Sequence, residues 1–175
     1  MELWDLYDCD RHPTGETHER GKPMPKGRYH TVVHILIFNT KGELLIQQRQ
    51  SCKAGWPDLW DLTVGGSAIA GDTSRTAAER EVMEELGLAI DLSHVQPTMI
   101  LPFDEGFSDI YTLVMDVDLS TLHLQESEVQ AVKWASEADI YTLMAEGRFM
   151  PYYKELIQLL FAMKTAHGAH VPKKG

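Results

Sequence analysis

Three glutamates, Glu81, Glu84 and Glu85, stand at positions i, i+3 and i+4 within the stretch GGSAIAGDTSRTAAEREVMEELGL, Gly65 to Leu88. At roughly 100° per residue on a helix they share an arc of about 100°, while Val82, Met83 and Leu86 fall on the opposite side as the face expected to pack. Like charges so placed repel one another, so a helix selected for stability alone would not leave them unrelieved. Arg80, four residues before Glu84, can pair with one carboxylate, but one guanidinium cannot neutralise three. The remaining charge suits a hard divalent cation with oxygen ligands, Mg²⁺ or Mn²⁺, and such a cluster could hold phosphoryl oxygens and accept a proton from water. A merely solvated acidic face is the plainer alternative.

The elements that must position this cluster follow from local signals. Ser74 as N-cap and Gly87 as a C′ glycine predict a helix from about Arg75 to Leu86, entered through a glycine turn at Gly65 and Gly66. Leu62 to Val64 reads as a brief strand delivering that turn. Thr31 to Phe38, TVVHILIF, is apolar and β-branched enough to be a buried strand, and Asn39 to Gly42 turns it into a second strand, Glu43 to Arg49. Ser51 to Asp61 is a loop carrying Trp56, Pro57 and Trp60. Further strands are expected at Val95 to Phe103 and Ile110 to Val117 around an acidic loop, Asp104 to Asp109, and in the region ending Val132-Lys133-Trp134. Helices are expected over Ser136 to Met144, with Ala138, Leu143 and Met144 inward, and over Tyr152 to Met163. Residues 1–27 open with a short strand and turn at Pro13-Thr14-Gly15, a hairpin-like extension; 28–165 form one domain and 166–175 a tail, frayed from Gly168. The whole is an α+β chain.

Gly66, Asp72, Arg80-Glu81-Val82, Glu84-Glu85 and Gly87-Leu88 together resemble the Nudix box, a long motif with many fixed positions. Asp72 stands where the pattern has glutamate. The resemblance implies the Nudix fold, an α/β/α sandwich around a mixed sheet, and an enzyme that hydrolyses a diphosphate linkage with Mg²⁺ (or Mn²⁺) held by Glu81, Glu84 and Glu85. Glu81 or Glu84, or a loop acid such as Glu128 or Glu105, would be the base, with Arg80 beside the box glutamates. Arg49, Gly65, Gly66, Trp60 and His30 are the candidates for contact with a small diphosphate, of nucleoside-diphosphate or prenyl-diphosphate type.

The Arg28-Tyr29-His30 entry, Leu44 to Arg49 and Gly55-Trp56-Pro57-x-x-Trp60 are also similar to the isopentenyl-diphosphate isomerase branch of that superfamily. His30 matches a metal-ligand histidine there, but Gly65 and Ser67 stand where the branch has its cysteine and a second histidine. Hydrolysis therefore leads over isomerisation, and over a catalytically weak ligand sensor.

The totals agree. The chain has 175 residues, 43% hydrophobic and 24% charged, enough for one domain with a sizeable core. A formal net charge of −10 argues against a nucleic-acid polymer as partner and makes a bridging cation close to a requirement for an anionic substrate. Cys9 and Cys52 show neither zinc nor disulfide spacing, and no apolar run of membrane-spanning length occurs, so a cytoplasmic enzyme without a membrane partner is expected. A homodimer is left open.

Overall fold

Strand β3, His30–Phe38, is the axis of the molecule, and its two faces carry the two halves of the core. The computed structural model describes residues 2–166 and 168–170. Because side chains alternate along a strand, Val33, Ile35 and Ile37 join one apolar cluster while Leu36 and Phe38 join another, all of them fully buried. Strand β4, Leu44–Arg49, repeats the division: Leu45 goes to the first cluster, Leu44 and Ile46 to the second.

Strands β5 (Trp60–Asp61), β6 (Val64–Ser67), β7 (Met99–Phe103), β8 (Gly106–Val114) and β9 (Val129–Ala135) complete a seven-stranded mixed sheet. Its path runs β5-β4-β3-β8-β7, with β6 on β3 and β9 on β4. β3 and β8 run parallel along their whole length; the other pairs are antiparallel. Helix α1, Ser74–Leu86, covers the first face, and α2 (Glu137–Ala145) and α3 (Lys154–Ala162) pack on the second. This is the expected α/β/α sandwich.

Several boundaries differ from the sequence expectation, each for a local reason. Thr73 rather than Ser74 caps α1: its hydroxyl accepts the Thr76 N–H and the Thr76 hydroxyl accepts the Thr73 N–H, a reciprocal box that leaves Ser74 free to bond Tyr111. Gly87 closes the helix at φ 63°, as a left-handed C-cap. Gly65 and Gly66 are not a turn but part of β6, opposite His34 and Val33; the turn is Ala68 to Asp72. The β3–β4 hairpin is paired only at its root, Phe38 opposite Leu44, because β6 and β8 take the rest of β3. The acidic loop 104–109 shrinks to a tight turn, since Gly106 begins β8 against the His30 carbonyl, where a Cβ would come within 2.2 Å. Met83 is 47% exposed and Ala138 is exposed, while Ile140 goes inward with Leu143. α3 begins at Lys154. Of the tail expected to fray, Gly168 to His170 form a bend, and 171–175 lie outside the described residues.

The N-terminal extension is a two-stranded hairpin, β1 (Leu3–Tyr7) and β2 (Pro13–Glu19). Its turn precedes Pro13: the Asp8 carboxylate accepts the N–H groups of Asp10 and His12, and Arg11 adopts φ 63°. The hairpin is fastened to the sheet and to the loop before α1. Arg11 makes a bidentate pair, 2.9 and 3.0 Å, with Asp109, which is 2% exposed, and the Gly71 and Ala70 amides donate to the Asp5 carboxylate and the Leu3 carbonyl.

Candidate active site

α1, β6, β4 and the hairpin enclose a cleft of about 360 Å³. The box carboxylates form its first wall. Glu85 lies on the edge of the buried face of α1, 6% exposed, and accepts a 2.9 Å hydrogen bond from the Gln47 side chain, itself buried on β4. Burial pushes the Glu85 carboxyl up to about 8, an effect that the Gln47 bond and Lys53 oppose and that the charges of Glu81 and Glu128 reinforce. Burial likewise raises Glu81 above the ordinary carboxylate range against the pull of Arg80. Glu84 is half-exposed at the rim.

Arg80 stands among these acids. It donates to Glu81 at 2.9 Å, to Glu84 at 3.1 Å, to Asp72 at 3.0 Å and to the Ser67 carbonyl at 3.0 Å. Asp72 is thus a brace for the guanidinium, and its departure from glutamate leaves the helix cluster intact.

Gly66 is where the absence of a side chain is required. A Cβ there would lie 2.1 to 2.5 Å from the Glu81 carboxyl atoms, so the bare backbone of β6 is the cradle in which that carboxylate sits.

Of the other residues singled out in the sequence, Arg49, Gly65 and Glu128 also border the cleft. Glu128 is ion-paired with Lys53. Arg49 is committed to the protein, donating to the Gly55 carbonyl at 3.0 Å, the Trp56 carbonyl at 3.2 Å and Asp61 at 3.4 Å, so it ties the tryptophan loop to the cleft. Trp60 does not reach the cleft. It is 7% exposed in the core beneath Lys133, while Trp56 is the tryptophan left in solvent. Glu105 is in the exposed turn before β8, where its carbonyl accepts the His30 N–H.

His30 lies outside the cleft as well, stacked on Trp4 at 4.1 Å and edge-on to Phe103 at 5.6 Å. It clamps the hairpin to the sheet as a neutral ring: burial, with His18 and Arg20 nearby, depresses its pKa to about 4. The unfolded chain binds this proton near pH 6.5, so its contribution to stability is fully present above that and is lost as pH falls toward 4. Equilibrium unfolding should show the wild type losing about 3 kcal/mol more than His30→Phe over this window. Parallel pH profiles for the two proteins would refute it.

Sequence reading missed Gln47, His34, Asp61, Lys53, Arg20 and Tyr152, all of which meet the cleft or hold its walls. The available signal was polarity inside apolar strands: His34 within TVVHILIF and Gln47 directly after Leu44-Leu45-Ile46.

The residues fit a hard divalent cation: the donors are all carboxylate oxygens, one sits in a glycine cradle, and Glu85 is a buried acid with no cation bonded to it among the described residues. Among the described residues the three acids or histidines whose ligand atoms all lie within 4.8 Å of one another are not the box glutamates but Asp8, Asp10 and His12, and these form the hairpin turn, already hydrogen-bonded to itself.

Comparison with known proteins agrees with this architecture. Residues 28–160 match the NUDIX domain family. An uncharacterised Nudix hydrolase of Listeria monocytogenes is 46% identical over 170 residues, 97% of this chain and 99% of that protein. An isopentenyl-diphosphate Delta-isomerase of Nocardia farcinica is 27% identical over 154 residues, 84% of this chain and 85% of that one. Among solved structures, DR0079 of Deinococcus radiodurans has the same fold, with TM-score 0.74 at 24% identity over 90% of this chain and 98% of that one. Since the family match spans the sheet and α1 with its glutamates, and a relative nearly half identical extends over almost the full chain, this protein belongs to the Nudix hydrolase family.

Proposed function

We propose that the protein hydrolyses a diphosphate linkage in a small molecule, with Mg²⁺ or Mn²⁺ held by Glu81, Glu84 and Glu85. The observation that carries this reading is the seating of Glu81 on the bare backbone of Gly66, within one cleft with Glu84, Glu85 and Glu128. When bound, the cation would neutralise phosphoryl oxygens and lend the phosphorus to attack. The chain's own groups do the rest. Arg80, braced by Asp72, fixes the Glu81 and Glu84 carboxylates; Gln47 fixes Glu85; a carboxylate oxygen of Glu81, Glu84 or Glu128, all of which line the cleft, takes the proton of the attacking water. Arg20 on the hairpin and Lys53 add positive charge at the mouth.

Isomerase chemistry lacks its acid here. Position 65 offers no side chain, and the side chain beside it is His34, whose pKa burial lowers. A neutral imidazole is far too weak an acid to protonate an unactivated alkene.

The deciding assay incubates the protein with ADP, ADP-ribose and isopentenyl diphosphate and follows hydrolysis products. Cleavage of at least one is expected with Mg²⁺, none in EDTA, and recovery on adding Mg²⁺ back. Undiminished turnover in EDTA would overturn the assignment.

No described helix is long and apolar enough to cross a membrane.

A further inference from the structure

Across the glycine strand from the carboxylates, the cleft has a second wall that the hydrolytic steps above leave unused. It consists of His34 on β3, Asp61 on β5 and Tyr152 just before α3. Successive residues of a strand face opposite ways, so Gly66 turns toward Glu81 and Gly65 toward His34. A Cβ at 65 would lie 3.1 Å from the imidazole Cδ2 and 3.4 Å from Nε2. A side chain at 65 would therefore press on the imidazole, which would have to give by a few tenths of an ångström.

The wall is oriented but only partly satisfied. His34 Nδ1 lies 2.8 Å from the Ser108 hydroxyl, which fixes the ring, and among the described residues no protein group is hydrogen-bonded to its Nε2. Asp61 Oδ1 accepts from the Leu62 N–H at 2.7 Å and the Tyr152 hydroxyl at 2.8 Å, whereas Oδ2 has only Arg49 at 3.4 Å. The Asp61 side chain is 13% exposed. Burial raises its pKa and lowers that of His34, as befits polar groups short of partners.

We propose that His34, supported by Asp61 and Tyr152, is a specificity-determining residue that hydrogen-bonds hydroxyl groups on the organic part of the substrate. This rests on the hydrolase reading, which places the diphosphate at the glutamates and so lays the attached group around β6 at Gly65-Gly66 onto this wall, within the same cleft. A hydroxyl there can donate to Asp61 Oδ2 and bond His34 Nε2. A hydrocarbon chain would shut both away from water, leaving His34 Nε2 without a partner and Asp61 Oδ2 with Arg49 alone, which is the kind of arrangement that discriminates strongly against an analogue lacking the polar group.

The test compares ADP, 2′,3′-dideoxy-ADP and isopentenyl diphosphate by kcat/KM with Mg²⁺, and by calorimetric titration, which reads preference whether or not the compound is cleaved. The wild type should favour ADP over its dideoxy analogue by at least about tenfold and over isopentenyl diphosphate by about a hundredfold or more. His34→Leu should bring the first ratio close to one, chiefly by weakening ADP. His34→Gln, which restores an amide N–H, should recover part of it, and Ser108→Ala should fall between; these two carry the test if His34→Leu does not fold. Binding preference without cleavage would sink the hydrolase reading and leave this inference standing. An unchanged ADP to dideoxy-ADP ratio in folded His34→Leu, a wild-type preference for isopentenyl diphosphate, or binding of none of the three would overturn it.

Discussion

Glu85→Gln should lower kcat by two to three orders of magnitude, on the order of what a single preorganised charge contributes to a transition state, while leaving the protein at least as stable as before. The two halves of this expectation have one cause. Glu85 is a buried carboxylate hydrogen-bonded to the neutral Gln47 amide, and its pKa is pushed up to about 8. A folded pKa above the unfolded value of 4.5 means that the native state holds the extra proton: its stabilising effect is complete below pH 4.5 and fades as pH rises through 8. Glutamine keeps the shape and the bond to Gln47 without the charge, so the variant should melt above the wild type at pH 8 to 9 in EDTA. Adding Mg²⁺ should raise the melting temperature of the wild type more than that of the variant, because the cation supplies the missing counter-charge only where a carboxylate remains. A variant that melts well below the wild type at every pH would mark Glu85 as a structural acid, and one that keeps full activity would remove it from the site.

The contrast between Glu85 and the rest of α1 shows how much was legible in the sequence. Spacing alone put Glu81, Glu84 and Glu85 on one side of a helix that ends at Gly87, and the structure has that helix. Spacing could not say that the three differ in burial, from half-exposed Glu84 to Glu85 at 6%, because that depends on where β4 lies against α1. The strands β3 and β4 were readable from their apolar runs, since both are buried on two faces. Their pairing was not: adjacency in sequence suggests a hairpin, yet most of β3 is bonded to β6 and β8, which arrive from 26 and more residues away. That pairing sets His34 opposite Gly65, and a side-chain hydrogen bond spanning 91 positions joins Tyr152 to Asp61, so the second wall of the cleft had no local signature beyond a histidine in an apolar strand. Trp60 failed as a binding candidate for the converse reason. A large aromatic beside a glycine-rich motif has two ways to be useful, and here the core claimed it.

Gly66→Ala tests the cradle itself, and its effect on activity should rival that of removing the Glu81 carboxylate, again two to three orders of magnitude. The added methyl would fall 2.1 Å from Glu81 Cδ and 2.3 and 2.5 Å from its oxygens, far inside contact distance. The obstructing atoms are the far end of a flexible side chain, so the carboxylate can swing away and the strand need not move. Gly66 is not at positive φ, so alanine meets no backbone strain there either. The stability cost should therefore stay within about 1 kcal/mol, as for most substitutions that neither open a cavity nor strain the backbone. Gly106→Ala is the counterexample within the same protein: its methyl would meet the His30 carbonyl at 2.2 Å, a backbone atom in the β3–β8 ladder, and should cost stability rather than chemistry alone. Because Gly66→Ala acts by moving Glu81, the double variant Gly66→Ala/Glu81→Gln should be scarcely slower than either single one. Losses that multiply would show that the two residues act independently, and an active, well-folded Gly66→Ala would show that the carboxylate does not need the bare backbone beneath it.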